Sequence, residues 1–353
     1  MKHHPSFIVT SLIVAMSITA CSGTPPTVGL DQQSSQSLSR VQSIRGDVGF
    51  PVQPSQIRQI RGPGFYKPDA KRAVTLYVSD AQNNAIELYS TYTQDPVQVG
   101  EITQGINFPV NIGIDRSGTL YVANAFGNTV TEYPLGSTSP SVTLTNQIVN
   151  PNSVAVDSKG TVYVTSGSSA GQYYVLEFER GKSKPAIQIN GFDLPVGLAI
   201  DASDNLYVGD TNPNKVYEVA KGTTTPVDLQ LNDLADPTGL AFDKKDELWV
   251  SNDAPQIHGS LNVFTVTGYK LGQTTPFATV ENSCSEVSGC GGLDGPYALG
   301  FDARNTLYVG NSYHYPGHIT SYKKPFLMQH LFQSFSQGIG VPSGIALEPP
   351  AWP

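Results

Sequence analysis

One short phrase recurs through this chain. It reads LYV at 76–78, 120–122, 206–208 and 307–309, VYV at 162–164 and LWV at 248–250. A second phrase stands before most copies: PVNIGID (109–115), PNSVAVD (151–157), PVGLAID (195–201), PTGLAFD (237–243) and PYALGFD (296–302), with a last copy, PSGIALE (342–348), near the C-terminus. Acid-to-acid steps are 42 (115 to 157), 44 (157 to 201), 42 (201 to 243), 59 (243 to 302) and 46 (302 to 348). A unit of this length cannot bury its apolar face alone. It must stack on its neighbours, so the period constrains the fold before any chemistry is considered.

Each unit parses into strands. In the first full copy, NIGID alternates apolar and small residues, an Asp115-to-Gly118 turn follows, and then come GTLYVAN, NTVTEY (128–133) and SVTL (141–144). Four short strands every 42 to 46 residues predict a blade of a β-propeller, and no long stretch carries the 3.6-residue helical period. There are six LYV-type strands. The one at 76–78 has Lys71 where the others have an acid, and PSGIALE has no LYV after it. The prediction is therefore an all-β, six-bladed propeller of four-stranded blades over 46–353. Its C-terminal strand completes the N-terminal blade and leaves few exposed sheet edges.

The phrase P-x-G-[LIV]-A-[IVF]-D-x-x-[GD]-x-L-Y-V resembles NHL repeats and the related gluconolactonase/senescence-marker propellers over roughly residues 70–350. The resemblance implies the six-bladed fold. For the gluconolactonase branch it also implies a divalent cation such as calcium, held by Glu, Asn and Asp at the top of the ring, where it activates water against a lactone. The residues after the phrase's proline are Val110, Asn152, Val196, Thr238, Tyr297 and Ser343, with Asn111 one further on in its copy. The Pro-Asp-Gly of that family is missing from all six.

The N-terminus reads as an export signal. Lys2 precedes the apolar run FIVTSLIVAMSI (7–18), too short for a mature membrane span, and Ile18-Thr19-Ala20-Cys21 resembles a bacterial lipobox. This predicts a signal peptide over 1–20, lipidation of Cys21, a polar Ser- and Gln-rich tether over 21–45, and anchorage in the cell envelope, at the outer membrane where the host has one. A plain secretory signal is the alternative. Cys284 and Cys290, six positions apart in an exported chain, predict a disulfide, with two free thiols as the alternative. A formal net charge of -8 argues against a nucleic-acid partner.

Two polar columns run through the repeats. Asp115, Asp157, Asp201, Asp243 and Asp302 each open a turn and are expected to cap backbone N–H groups. Asp80, Asn124, Ser166, Asp210, Asn252 and Asn311 follow the LYV strands and read as hairpin residues. Specificity is expected where the repeat is broken. The 59-residue step and the loops holding His258, Tyr313, His314, Tyr315 and His318 belong to the fifth and sixth blades and share one face. These five residues are the candidate ligand-binding set. The expectation is a binding scaffold for a protein, glycan or small molecule, with no cofactor. The alternative is a lactonase-like hydrolase or lyase.

Overall fold

The computed structural model describes residues 75–91, 96–168, 170–258, 261–281, 292–313, 315–324 and 331–348, without the side chains of 255–258, 261–262 and 331–332. All lie in the second of two units, Pro63–Pro353. Blade I holds β1 (Thr75–Asp80), β2 (Ala85–Ser90) and β3 (Val97–Ile102). Blade II holds β4 (Pro109–Ile114), β5 (Leu120–Asn124), β6 (Thr129–Tyr133) and β7 (Val142–Leu144). Blade III holds β8 (Val154–Val156), β9 (Val162–Gly167), β10 (Tyr173–Phe178) and β11 (Ile187–Phe192). Blade IV holds β12 (Pro195–Ile200), β13 (Leu206–Asp210), β14 (Lys215–Val219) and β15 (Val227–Asp228). Blade V holds β16 (Pro237–Phe242), β17 (Leu248–His258), β18 (Leu261–Tyr269) and β19 (Ala278–Glu281). Blade VI holds β20 (Pro296–Phe301), β21 (Leu307–Asn311), β22 (His318–Tyr322) and β23 (Leu331–Phe335). The last strand, β24 (Pro342–Glu348), is the inner strand of blade I: the sheet order is β24-β1-β2-β3, antiparallel throughout. The protein is thus a six-bladed propeller, closed as the repeat count requires.

The LYV phrase repeats because its alternate residues face different blades. Successive strand residues point to opposite faces of a sheet. Leu206 and Val208 pack towards blade III, with Val175 and Ile189, while Tyr207 packs towards blade V, with Leu240 and Val250. The same division holds for Leu76/Val78 against Tyr77, Leu120/Val122 against Tyr121 and Leu248/Val250 against Trp249. Six apolar clusters result, one between each pair of neighbours, so the core is a ring of interfaces. Where inner strands converge, the phrase carries glycine. A Cβ at Gly197 would lie 2.5 Å from the Thr238 carbonyl oxygen of the next blade, and one at Gly344 2.6 Å from that of Val110.

The acidic column behaves as expected. Oδ1 of Asp115 accepts from the backbone N–H of Ser117 and Thr119, and that of Asp201 from Ser203 and Asn205, at 2.8–2.9 Å. The fourth residue of three such turns also clasps the preceding blade. Asp204 accepts from Ser158, Asp246 from Ala202 and Asn305 from Lys244. All three have positive φ, which Asp and Asn tolerate.

Blade I also buries a carboxyl. Glu87 on β2 takes a hydrogen bond from Gln98, and burial, followed by the charges of Glu101 and Asp80, pushes its pKa from 4.5 up to about 7. Between those values the folded state binds more protons than the unfolded one, so this group's effect on stability worsens as pH rises from 4.5 to 7. Glu87→Gln keeps the acceptor for Gln98 and removes the charge. It is expected to raise the unfolding free energy at pH 8 by about 1–2 kcal/mol, less than the full shift because solvent screens part of the charge, and to change little at pH 4. Equal gains at both pH values in urea titrations would contradict the assignment.

Candidate functional site

The top face is the side on which the inner strands begin and the second strands end. Its construction depends on the second polar column, which is fully or almost fully buried. In blades II to VI each member reaches back 17 residues to hold the segment that leads into its own blade. Asn124 Oδ1 accepts from Asn107 N–H, Ser166 Oγ from Val149, Asn252 Oδ1 from Ala235, and Asn311 Oδ1 from Asp294. Asp210 takes both Asp193 and Leu194, at 2.8 and 2.6 Å. In blade I the equivalent residue closes the ring: Asp80 accepts from the N–H groups of Gly340 and Val341 at the far end of the chain. The column is structural.

Above it, blades V and VI depart from the repeat. β17 and β18 span 11 and 9 residues where most of their counterparts span five or six. The register slips between Asn252 and Gln256, then resumes to His258↔Leu261. The sequence reading expected His258 in a loop before the third strand, but the structure makes it the end of β17. Strand pairing carries past Pro255 because the slip absorbs the residue that cannot donate. His258 therefore stands near the tip of a raised hairpin. At about 3.4 Å per residue, Leu261 opposite it lies on the order of 10 Å along the strand from Phe264.

Phe264 is where Tyr313 meets blade V, with ring centroids 5.3 Å apart. Tyr313 N–H donates to the Asp294 carbonyl at 3.1 Å, and Ser312 N–H to that of Gly295 at 3.0 Å. His318 Nε2 lies 2.9 Å from the Gly292 carbonyl oxygen, which can only accept, so Nε2 carries the hydrogen. Tyr313 and His318 thus grip one segment, 292–295, from two sides. Gly295 has φ +64°, and a Cβ there would meet the Tyr313 Cβ at 2.6 Å and Asp253 Oδ1 at 3.1 Å. Asp253, Phe264, Gly295 and Tyr313 form one corner. Beside it Tyr297 is buried, its hydroxyl without a hydrogen-bond partner among the described residues, and burial followed by the Asp253 charge pushes its phenol pKa up. Tyr313 and Tyr315 are 50% and 60% exposed. His314, Cys284, Cys290 and Cys21 lie outside the described residues.

The sequence reading missed an aromatic pair in blade II. It placed the specificity in blades V and VI alone, and NAFGNT (124–129) lies in blade II. The loop is short, but Phe126 is 55% exposed and stacks on Phe108, centroids 4.1 Å apart and planes 17° from parallel. A signal was present: Phe126 follows Asn124 by two positions, as Tyr313 follows Asn311.

The channel between the inner strands contains a cavity of about 160 Å³, lined by apolar residues of all six blades and by Asn111. Asn111 Oδ1 already accepts from Ile112 N–H at 2.7 Å. Of the residues after the phrase's proline, Asn152 alone supplies an amide oxygen, and among the described residues no three His, Cys, Asp or Glu side chains come together. A calcium ion needs six to eight oxygens, so these residues do not fit the cation that the resemblance implied.

No family model and no curated protein matches the chain. Solved structures match the fold. A structure titled as a nidogen/laminin complex aligns at 15% identity and TM-score 0.58, over 78% of this chain and 98% of that one. A protein of unknown function from Bacteroides caccae aligns at 13% and 0.54 over the same shares. One of unknown function from Desulfotomaculum acetoxidans aligns at 12% and 0.53, over 77% and 98%.

Proposed function

We propose that this protein is a binding scaffold of the cell envelope whose partner, a protein, docks on the top face of blades V and VI. The raised β17–β18 hairpin beside two exposed tyrosines carries the reading. Elsewhere the blades keep short hairpins. Tyrosine supplies rigid amphipathic contact area, and such residues dominate the energetics of protein interfaces. The nidogen/laminin structure shows a like-folded chain within a protein complex, which is analogy and not identity. The envelope location rests on the Ile18–Cys21 stretch.

The experiment compares the immobilised full chain with its Tyr313→Ala/Tyr315→Ala variant against cell-envelope extract, followed by titration of whatever the wild type retains. Both side chains are at least half exposed, so the variant should stay folded, with a melting temperature lowered only modestly by loss of the Tyr313–Phe264 contact, and bind at least about tenfold more weakly. Equal affinity in the two proteins would defeat this site. In the same cells, Cys21→Ser should move the protein from the membrane to the soluble fraction. A wild-type chain that is already soluble would refute the anchor.

A further inference from the structure

The second aromatic feature of the top face lies in blade II, away from the raised hairpin. We infer that the stacked Phe108–Phe126 pair, framed by asparagine amides, is a binding site for an uncharged carbohydrate.

The pair is built at a conformational cost. Phe108 has φ +54°. A bulky side chain in the left-handed region is a true outlier. The same place, 16 residues before the polar column, is held at positive φ in other blades by Asn150, Asp236 and Gly295, types that tolerate it. The strain is held in place by two hydrogen bonds. Phe108 N–H donates to Asn84 Oδ1 of blade I at 2.7 Å, and Ala125 N–H donates to the Phe108 carbonyl at 3.0 Å. The result is that one face of Phe126 is backed by a parallel ring while much of the side chain stays exposed. Strained residues of this kind persist where surrounding contacts over-determine them, and they concentrate at ligand sites.

The surroundings select the ligand class. Segments 82–84, 105–111 and 124–129 contain no charged residue, in a chain of net charge -8. They do contain Gln82, Asn83, Asn84, Asn107 and Asn128. Asn128 Oδ1 accepts from Asn150 N–H at 2.8 Å, as Asn84 Oδ1 accepts from Phe108, so the oxygen of each of these exposed amides is engaged and its NH₂ group remains to donate, whereas the Asn83 NH₂ group donates to Asp80. Asn107 borders Gly127, where a Cβ would lie 3.5 Å from that of Asn107. A flat apolar face ringed by neutral amides matches the apolar face and equatorial hydroxyls of a neutral sugar ring. It is one ring wide, far below the roughly 800 Å² per partner that a stable protein interface buries.

The probes are cellohexaose and maltohexaose, titrated calorimetrically into the full chain, with a polygalacturonate hexamer as the charged comparison. One of the neutral oligomers should bind, with affinity unchanged between low and high salt because no ion pair is involved. Phe126→Ala should weaken binding about tenfold or more, and Phe126→Trp should retain it. Phe108→Asn keeps a residue suited to φ +54° and removes the backing ring, so it should melt at the same or a higher temperature while binding the sugar more weakly. Failure of both neutral oligomers to bind at millimolar concentration would overturn the inference. So would Phe126→Ala binding as tightly as wild type, preference for the charged oligomer, or loss of the blade V–VI protein partner in Phe126→Ala. Loss of that partner in Tyr313→Ala/Tyr315→Ala leaves the sugar site untouched, so the two readings fail separately.

Discussion

A chain ending at Gly340 is expected to show no cooperative thermal unfolding transition above 25 °C. The residues removed include all of β24, the inner strand of blade I. That strand pairs with β1 from Thr75↔Glu348 to Asp80↔Pro342, and its side chains serve two interfaces. Ile345 and Leu347 pack with Leu76, Val78 and Tyr308 between blades VI and I, whereas Ala346 packs with Tyr77, Leu88 and Ile112 between blades I and II. Ser343 Oγ donates to the Pro109 carbonyl at 2.9 Å, and Ser79 Oγ to that of Val110, tying the closure to the start of blade II. Truncation opens two of six core clusters and leaves the β1 ladder without its partner. Ile345→Ala and Leu347→Ala, which keep the strand, should each cost about 2–5 kcal/mol. Typical domain stability is only about 5–15 kcal/mol, so losing the whole strand removes most of it. Circular dichroism melting reads the outcome, and a peptide spanning 339–348 added in trans should restore part of the transition. A truncated chain melting within a degree or two of the full chain would contradict ring closure.

Gly239→Val is expected to have the second largest effect. Gly239 lies on β16 where it meets blade VI. A Cβ there would stand 2.7 Å from Ser251 Oγ and 2.7 Å from the Tyr297 carbonyl oxygen. Backbone on one side and a buried hydroxyl on the other leave no flexible group to move aside. Ser251 Oγ is itself engaged, accepting from Gly239 N–H at 2.7 Å. The inner strands must separate, which loosens the cluster of Trp249, Phe264, Leu299 and Phe301 behind them. A loss of about 3 kcal/mol or more follows from overpacking at such a site. The control is Gly272→Ala, in a turn with φ +76° and nothing within 4 Å of the added Cβ. It should cost about 1–2 kcal/mol from backbone strain alone. Urea midpoints at constant m-value separate the two, and equal losses would show that the blades are not packed as tightly as described.

The fold was legible from sequence to a degree the chemistry was not. Strand order, blade count and the completing C-terminal strand all follow from a phrase whose causes are local. Alternation sends Leu206 and Val208 one way and Tyr207 the other, and an aspartate two residues before a turn N–H caps it wherever it occurs. The acidic column could therefore be read as structural before any coordinates. The column of Asp80, Asn124, Asp210 and Asn311 could be placed at the hairpins, but not explained. Its partners lie 17 residues back, or 260 residues on for Asp80 and Gly340, and only pairing between strands brings them within reach.

The features that distinguish one face of the ring arise the same way. His258 was expected in the loop before a third strand; a register slip between Asn252 and Gln256 lets the pairing run on to it and makes a raised hairpin. Phe108 and Phe126 are 18 residues apart and stack because β4 and β5 lie side by side and Asn84 of the preceding blade holds Phe108 in a conformation its own type disfavours. Periodic, short-range preferences thus specify the scaffold. The surfaces available for binding come from contacts between segments distant in sequence: position marks Phe126 as it marks Tyr313, but the ring stacked on it is held by another blade, which no local pattern shows.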